Sequence, residues 1–132
     1  MTFRFFMLSS HGSVLKDVEW CETHPVGGSE TAVLCMARSL RKLGHAVEIL
    51  TDPNELSSRP CDVFISLRKW ELFHNGHGPG NVNYLWCMDD VDQPIVASLS
   101  DQRIAQKVLE NCDACILVSN CQQQRWCQAF QI

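Results

Sequence analysis

Two adjacent glycines, Gly27 and Gly28, precede Ser29 and Glu30 at the start of a predicted helix. Glycines in this place let backbone N–H groups approach a ligand closely, and the positive end of the helix dipole favours a phosphate. Gly27, Gly28 and Ser29 are therefore candidates for binding a diphosphate. Glu30 would repel an anion there unless its carboxylate turns aside to a hydroxyl or an N–H group. A helix entry capped by Ser29 is the structural alternative.

Polar and aromatic residues stand at the ends of three later predicted strands: Arg68, then Trp86 with Asp89 and Asp90, then Ser119. In parallel α/β sheets ligands bind beyond the carboxyl ends of the strands, so these residues, together with Glu30, are candidates for an acceptor-side cleft. The ring of Trp86 suits stacking against a sugar, and a core aromatic is an equal alternative. Arg68 suits an anionic acceptor, and a solvated strand end is the alternative there.

The elements that would position these residues alternate regularly along the chain. Short, continuously apolar runs alternate with amphipathic helical patterns, which is typical of a parallel sheet covered on both faces. The predicted fold class is therefore α/β, a doubly wound parallel sheet in a Rossmann-like three-layer sandwich, with strand order 3-2-1-4-5. The predicted strands are Phe3–Leu8, Val47–Leu50, Asp62–Leu67, Val82–Trp86 and Ala114–Val118, and the main helices begin at Ser29, Asp101 and Asn120.

Helical spacing of apolar residues predicts which faces of two helices are buried. In the helix from Ser29 the predicted inward residues are Ala32, Val33, Met36, Leu40 and Leu43, with Gly44 just past its end. In the helix from Asp101 they are Ile104, Ala105, Val108, Leu109 and Cys112.

The composition fits one globular Rossmann-like domain over residues 1–132. A formal net charge of −4 with 45% hydrophobic residues argues against disorder, and no basic stripe points to nucleic acid as a partner. No apolar run reaches the roughly 20 residues that span a bilayer, and peripheral membrane contact stays open. The run Phe3–Leu8 is too short for the apolar part of a signal peptide, so a cytoplasmic location is predicted.

Eight cysteines stand at positions 21, 35, 61, 87, 112, 115, 121 and 127. Most coincide with predicted core elements, where a free cysteine behaves as a small apolar residue, so we predict eight reduced thiols. Cys112 and Cys115, followed by Cys121 and Cys127, also invite a zinc or redox interpretation. The first pair, however, spans a helix-to-strand junction, whereas a redox pair precedes a helix N-terminus that stabilises the thiolate. We therefore predict neither a metal nor a cofactor.

Three runs of the chain share one resemblance. They are G-G-S-E-T-A-V-L-C-M-A-R-S-L-R-K-L-G-H-A-V-E-I-L-T from Gly27 to Thr51, N-Y-L-W-C-M-D from Asn83 to Asp89, and C-D-A-C-I-L-V-S-N from Cys112 to Asn120. In this order they resemble the amino-terminal, acceptor-side domain of family 4 glycosyltransferases (glycosyltransferase group 1), which have the GT-B fold. Met88 stands where many members of that family have histidine.

The resemblance implies transfer of a sugar from a nucleotide-sugar donor to an acceptor hydroxyl, with retention at the anomeric carbon and without a metal. Gly27 and Gly28 would face the donor diphosphate, Asp89 would match the acid near the acceptor, and Ser119 would match the serine that ends the fifth strand. The family's carboxyl-terminal, donor-binding domain is absent from these 132 residues. The chain is therefore expected to be part of a longer enzyme and inactive alone.

Two other functions stay open. A non-catalytic Rossmann-like module for binding or interaction would keep the fold without the chemistry, and Met88 favours it. A dinucleotide-binding domain is disfavoured because 18 residues separate Leu8 from Gly27 and no G-x-G-x-x-G occurs. Asp52 ends the second predicted strand, as a ribose-binding acid would, and a turn residue before Pro53 is the alternative.

Overall fold

The computed structural model describes residues 1–56 and 60–131, apart from the side chain of Val18. Within these residues a five-stranded, all-parallel sheet is flanked by helices, which confirms the predicted α/β class and its Rossmann-like arrangement. The strands are β1 (Thr2–Phe6), β2 (Ala46–Leu50), β3 (Cys61–Leu67), β4 (Gly80–Cys87) and β5 (Ala114–Leu117). The α-helices are α1 (Val18–Thr23), α2 (Gly28–Lys42), α3 (Glu71–Asn75), α4 (Gln102–Asn111) and α5 (Asn120–Phe130). Short 3-10 helices cover Gly12–Lys16, Pro53–Glu55 and Pro94–Ser100.

The strands lie in the order β2-β1-β3-β4-β5, so the predicted order 3-2-1-4-5 is wrong. At the β1–β3 junction Thr2 donates its backbone N–H and its hydroxyl to Asp62 Oδ2, at 2.7 and 3.0 Å. Asp62 in turn donates its N–H to Thr2 Oγ1 at 3.0 Å. Hydrophobic patterns locate strands but do not specify their neighbours, and this chain reverses its direction across the sheet after β2 rather than after β3.

The described residues divide into two compact units. The first unit comprises Met1–Ile65 and Pro79–Val82, and the second unit comprises Ser66–Gly78 and Asn83–Ile132. In the first unit β1 pairs in parallel with β2, and α2 packs against β2. Its fully or almost fully buried side chains are Phe5, Phe6, Met7, Leu15, Val33, Ala37, Ile49, Leu50, Cys61 and Phe64.

Helix α2 buries a narrower face than its sequence pattern predicts. Val33 and Ala37 are fully buried, whereas Met36 and Leu43, both predicted inward, are 43% and 73% exposed. The helix lies against its unit through residues four apart, so the flanks of the predicted apolar stripe face solvent. Gly44 follows the helix with φ +88, the left-handed conformation that favours glycine after a helix end, as predicted.

In the second unit β4 pairs in parallel with β5. The predicted buried run Ala114–Val118 is instead an edge strand and its following residue, with Ile116 and Val118 exposed. An edge strand lacks a neighbour on one side, so apolar side chains there stay accessible even though the run itself is continuous. The continuous pattern alone could not distinguish an edge strand from a central one.

The two long helices of the second unit agree well with their predicted extents. Asp101 caps α4 by accepting a hydrogen bond from the Arg103 N–H at 2.9 Å. Ala105, Val108 and Cys112 are buried as predicted, whereas Leu109 is partly exposed. Helix α5 has the predicted limits, and its buried residues are Gln122, Trp126 and Phe130.

All eight cysteines lie in the described part of the chain, and each carries a free thiol there. Cys61, Cys87 and Cys112 are buried, and Cys21 and Cys115 are half-buried. The other three, at positions 35, 121 and 127, are exposed, so the prediction that most cysteines are core residues is wrong. Those three lie on helices α2 and α5, where position within a helix does not by itself place a side chain on the buried face.

We expect a thiol reagent such as DTNB to titrate three cysteines rapidly in the native protein and all eight in denaturant. The rapid three should be Cys35, Cys121 and Cys127, because the others are wholly or partly buried. Burial also raises the pKa of the Cys61 thiol, which disfavours the reactive thiolate. Mass spectrometry of alkylated peptides identifies the positions. Eight equally fast thiols in the native state would contradict this burial pattern.

Candidate functional site

The amino-terminal end of α2 presents unpaired backbone donors at the predicted diphosphate site. The capping residue is Gly27 rather than Ser29, the cap of the structural alternative, and it provides no side-chain cap. Thr31 donates its N–H to the Gly27 carbonyl at 2.9 Å, while the N–H groups of Gly28, Ser29 and Glu30 have no acceptor among the described residues. Gly27 and Gly28 are exposed, so these donors are accessible to a ligand.

The Glu30 carboxylate turns aside to a hydroxyl group. Without this turn its negative charge would repel an anion bound at the helix end. Ser9 Oγ donates to Glu30 Oε1 at 2.9 Å and accepts the His11 N–H at 3.1 Å. A Cβ on Gly27 would lie 2.5 Å from Glu30 Oε2, whereas a Cβ on Gly28 would meet nothing within 4 Å. Gly27 therefore makes room for the protein's own carboxylate, and Gly28 borders open space.

An aromatic stack lies in the segment between β1 and α2. The rings of Trp20 and His24 are parallel with centroids 4.3 Å apart, and the His11 ring lies 5.6 Å from Trp20. Asp17 Oδ1 caps the short helix by accepting the Trp20 N–H at 3.1 Å. The sequence pattern alone predicts an irregular segment here. The spacing of Trp20 and His24, four residues apart after an Asp cap, was the available signal for α1 and its stack.

In the second unit Arg68 and Asp89 form a bidentate ion pair at the ends of β3 and β4. Arg68 Nε and Nη2 donate to the two Asp89 carboxylate oxygens, both at 2.8 Å. The Asp89 side chain is only 12% exposed and that of Arg68 is 40% exposed. Arg68 adopts φ +63, a conformation that is uncommon for residues other than glycine, and its N–H donates to the Trp86 carbonyl.

The side chains beneath this ion pair are tightly packed. The space beneath it, beside Trp70, Leu85 and Trp126, is too small for a water molecule. A ligand of these residues would therefore bind on their outer side, where Arg68 is accessible. The Asp89 carboxylate already accepts two charge-assisted hydrogen bonds, so it is not a free acid or base in this state.

Asp90 lies next to this pair and has its own partner. Its carboxylate is 2.7 Å from Arg125 Nη1, on α5, and its Oδ1 accepts the Val91 N–H at 2.8 Å. Both groups are partly exposed, so the pair adds little to stability. Asp89 and Asp90 are thus each neutralised by an arginine.

Ser119 lies at the end of β5 as the N-cap of α5, where its hydroxyl accepts the Gln122 N–H at 3.1 Å. The Gln122 side chain is buried and makes three contacts: Nε2 donates to the carbonyls of Cys87 and Asp89 at 3.3 and 3.0 Å, and Oε1 accepts the Val118 N–H at 2.6 Å. This amide therefore joins the ends of β4 and β5.

The Trp126 side chain also donates a hydrogen bond to the segment that follows β4. Its Nε1 donates to the Asp89 carbonyl at 3.1 Å, and the side chain is buried. The predicted residue Trp86 is half-buried on β4, opposite Ile116 of β5 in the sheet register. The structure thus gathers Arg68, Asp89 and Asp90 around the end of β4, with Ser119 joined to them through Gln122.

Two further sequence interpretations can be located. Asp52 caps the 3-10 helix that follows β2, accepting the Asn54 N–H at 2.9 Å, as expected for a turn residue. Cys112 and Cys115 are close enough to share a hydrogen bond, which together with burial raises the pKa of Cys112. Although that bond lowers the pKa of Cys115, a hydrogen bond with Cys87 and burial raise it to about 12. Both thiols are therefore protonated and poorly reactive at neutral pH.

Among the described residues no group of three or more His, Cys, Asp or Glu side chains is arranged to hold a metal ion. None of the helices in the described ranges combines the length and apolar character needed to cross a membrane. Comparisons with protein-family models, with curated proteins and with solved structures found no match to this chain.

Proposed function

We propose that this chain is the acceptor-side, Rossmann-like part of a GT-B glycosyltransferase that uses a nucleotide-sugar donor. The observation that carries the proposal is the amino-terminal end of α2: exposed glycines, three N–H groups without an acceptor in the described part of the chain, and a Glu30 carboxylate held by Ser9. The Gly27–Thr51 run, which resembles family 4 glycosyltransferases, contains this same helix end.

In this role the N–H groups of Gly28 and Ser29 bind the diphosphate of the donor. Negative charge develops on the diphosphate as the sugar leaves, and donors fixed in advance by a helix stabilise that charge without reorganisation. The protein's further contribution is to position the acceptor hydroxyl near the anomeric carbon. We assign Arg68, Trp86 and Ser119 to the acceptor side, and no residue as catalytic base.

A non-catalytic binding module is the second candidate, and the arginine partners of Asp89 and Asp90 favour it. A transferase in which either carboxylate accepted a proton would first have to break an ion pair. A coding region that continues past Ile132 into a domain with two glutamates separated by seven residues would support the transferase. A stop codon directly after Ile132 would support the module.

We expect UDP or GDP to shift the amide NMR signals of Gly28, Ser29 and Glu30 in the 15N-labelled chain, whereas uridine or guanosine should not. Binding should be weak, in the range of about 1 mM, because one helix end supplies only part of the contacts to a nucleotide-sugar. Gly28→Val should abolish the shifts without unfolding the chain, since a Cβ there meets nothing within 4 Å.

The matched control is Ser39→Val, at an exposed position of the same helix away from its first turn. It should leave the diphosphate-induced shifts intact. Equal shifts with nucleoside and with nucleoside diphosphate, or no shifts at Gly28 and Ser29, would overturn the assignment of this helix end to a diphosphate.

A further inference from the structure

A groove of about 640 Å³ lies in the first unit along α1 and α2, and two of its lining residues, Val26 and Thr31, directly flank the diphosphate site in sequence. Its apolar wall includes Cys21, Val26, Leu34 and Cys35. Ligand-binding cavities typically enclose about 300–1,000 Å³ and are lined mainly by apolar side chains with a few polar ones. The groove has this size and character, and none of Gly27, Gly28, Ser29 or Glu30 lines it.

Toward the carboxyl end of α2 the groove carries an excess of positive charge. Arg38, Arg41 and Lys42 line it together with a single acid, Glu22. Arg38 Nη2 lies 3.2 Å from Glu22 Oε1, and Arg41 Nη2 donates to a backbone carbonyl at 2.9 Å. Lys42 has no side-chain partner among the described residues. This excess of two positive charges contrasts with the net charge of −4 of the whole chain.

The helix dipole accounts for part of this pattern, because basic residues are favourable in the last turn of a helix. It does not account for the apolar wall beside them or for Arg38, which lies a turn earlier. A cationic edge along an apolar groove is complementary to a ligand with an apolar body and one anionic end. A nucleotide would leave the apolar wall uncovered, and a neutral hydrocarbon would leave Lys42 without a counter-charge.

We propose that this α1–α2 groove binds a free single-chain carboxylate, an anionic amphiphile of the fatty-acid class. The apolar chain packs against Val26, Leu34 and the Cys35 side chain, and the carboxylate lies at Lys42 with the outer faces of Arg38 and Arg41. This site is independent of the proposed transferase function, since it shares no residue with the diphosphate or acceptor-side groups.

Cys35 provides a reporter for occupancy, because it is exposed and lies in the groove wall. Cys121 and Cys127 are also exposed but lie on α5 in the second unit, so they serve as internal controls. We expect decanoate, below its micelle-forming concentration, to slow alkylation of Cys35 by N-ethylmaleimide at least fivefold. The alkylation rates of Cys121 and Cys127 should not change.

Two comparisons separate specific binding from general adsorption. Decyltrimethylammonium has the same chain length with a positive head and should not protect Cys35. Lys42→Glu should raise the decanoate concentration needed for protection at least fivefold, whereas Lys107→Glu, an equal charge change on α4, should leave it unchanged. Circular dichroism confirms that both variants are folded, and Lys42 has no described contact to lose.

The proposal is overturned if decanoate protects all three cysteines alike, or none of them. It is also overturned if the cationic amphiphile protects Cys35 as well as decanoate does. Protection of Cys35 by anionic phosphatidylglycerol vesicles but not by free decanoate would show that the surface meets a membrane instead, and would equally rule out a free fatty acid as the ligand.

Discussion

Gly80→Ala is expected to destabilise the protein by about 3 kcal/mol, at the upper end of what one added methyl group costs in a packed core. A Cβ at this position would lie 2.5 Å from the Val82 carbonyl oxygen, 2.7 Å from the Phe64 nitrogen and 2.9 Å from the Phe64 Cβ. Two of these three atoms belong to the backbone, so they cannot move aside as the end of a flexible side chain would. The added methyl group can therefore be accommodated only if β3 and β4 separate locally.

The measurement is urea unfolding followed by circular dichroism, with a fall in melting temperature of roughly 10 °C as a second readout. Gly28→Ala is the matched control, since its Cβ meets nothing within 4 Å and alanine favours a helix. It should be neutral or slightly stabilising. If the two variants unfold at the same urea concentration, the close approach of β3 to Gly80 is not present in solution.

Gln122→Leu is expected to cost about 2–4 kcal/mol, because it removes a buried amide that satisfies three backbone groups. Leucine fills similar space but leaves the Val118 N–H and the Cys87 carbonyl without the side-chain partner seen here, while the Asp89 carbonyl keeps only the hydrogen bond from Trp126. We also expect the Val118 amide to exchange with solvent at least tenfold faster. Urea unfolding and amide hydrogen exchange measure the two effects.

Two variants divide this effect into its parts. Gln122→Glu keeps the acceptor for the Val118 N–H but loses both donors and adds a buried charge, so it should protect Val118 while still destabilising the fold. Trp126→Phe removes the hydrogen bond to the Asp89 carbonyl together with part of a buried ring, and should cost about 1–2 kcal/mol without faster exchange of the Val118 amide. Unchanged exchange of the Val118 amide in Gln122→Leu would contradict the role given to Gln122.

The sequence predicted helix boundaries well where residues close in sequence determine them. The start of α5 follows from Ser119, whose hydroxyl caps the helix, and the start of α4 follows from Asp101. Local capping and helical spacing are properties of neighbouring residues, so they can be derived from a short stretch of sequence. The strand order depends on which distant strands pair, and no short stretch contains that information.

Because the predicted strand order was wrong, the ion pair of Arg68 and Asp89 could not be predicted. In the order 3-2-1-4-5 two strands separate the ends of β3 and β4, so Arg68 and Asp89 would not be expected to meet. In the observed order these strands are neighbours, and the two side chains form an ion pair. Both residues were predicted as site candidates, but their mutual neutralisation could not be predicted without the correct topology.

Gln122 was missed for a different reason. It is the first of three consecutive glutamines, and its residue type suggests a solvent-exposed helix position. Its spacing gives a signal in the other direction, because Trp126 and Phe130 follow four and eight residues later on the same face. A polar residue in line with two buried aromatics is a candidate for a buried hydrogen-bonding role.

The interior position of β1 has a consequence for synthesis on the ribosome. This strand is made first, yet its two neighbours in the sheet, β2 and β3, end at Leu50 and Leu67. At about 5–20 residues per second, β1 waits roughly 3–12 s for β3 to be completed. Both edges of this largely apolar strand are unpaired until β2 is complete, and one edge stays accessible to chaperones and to other nascent chains until β3 is complete. Slow translation through residues 46–67 should therefore lower the yield of folded protein.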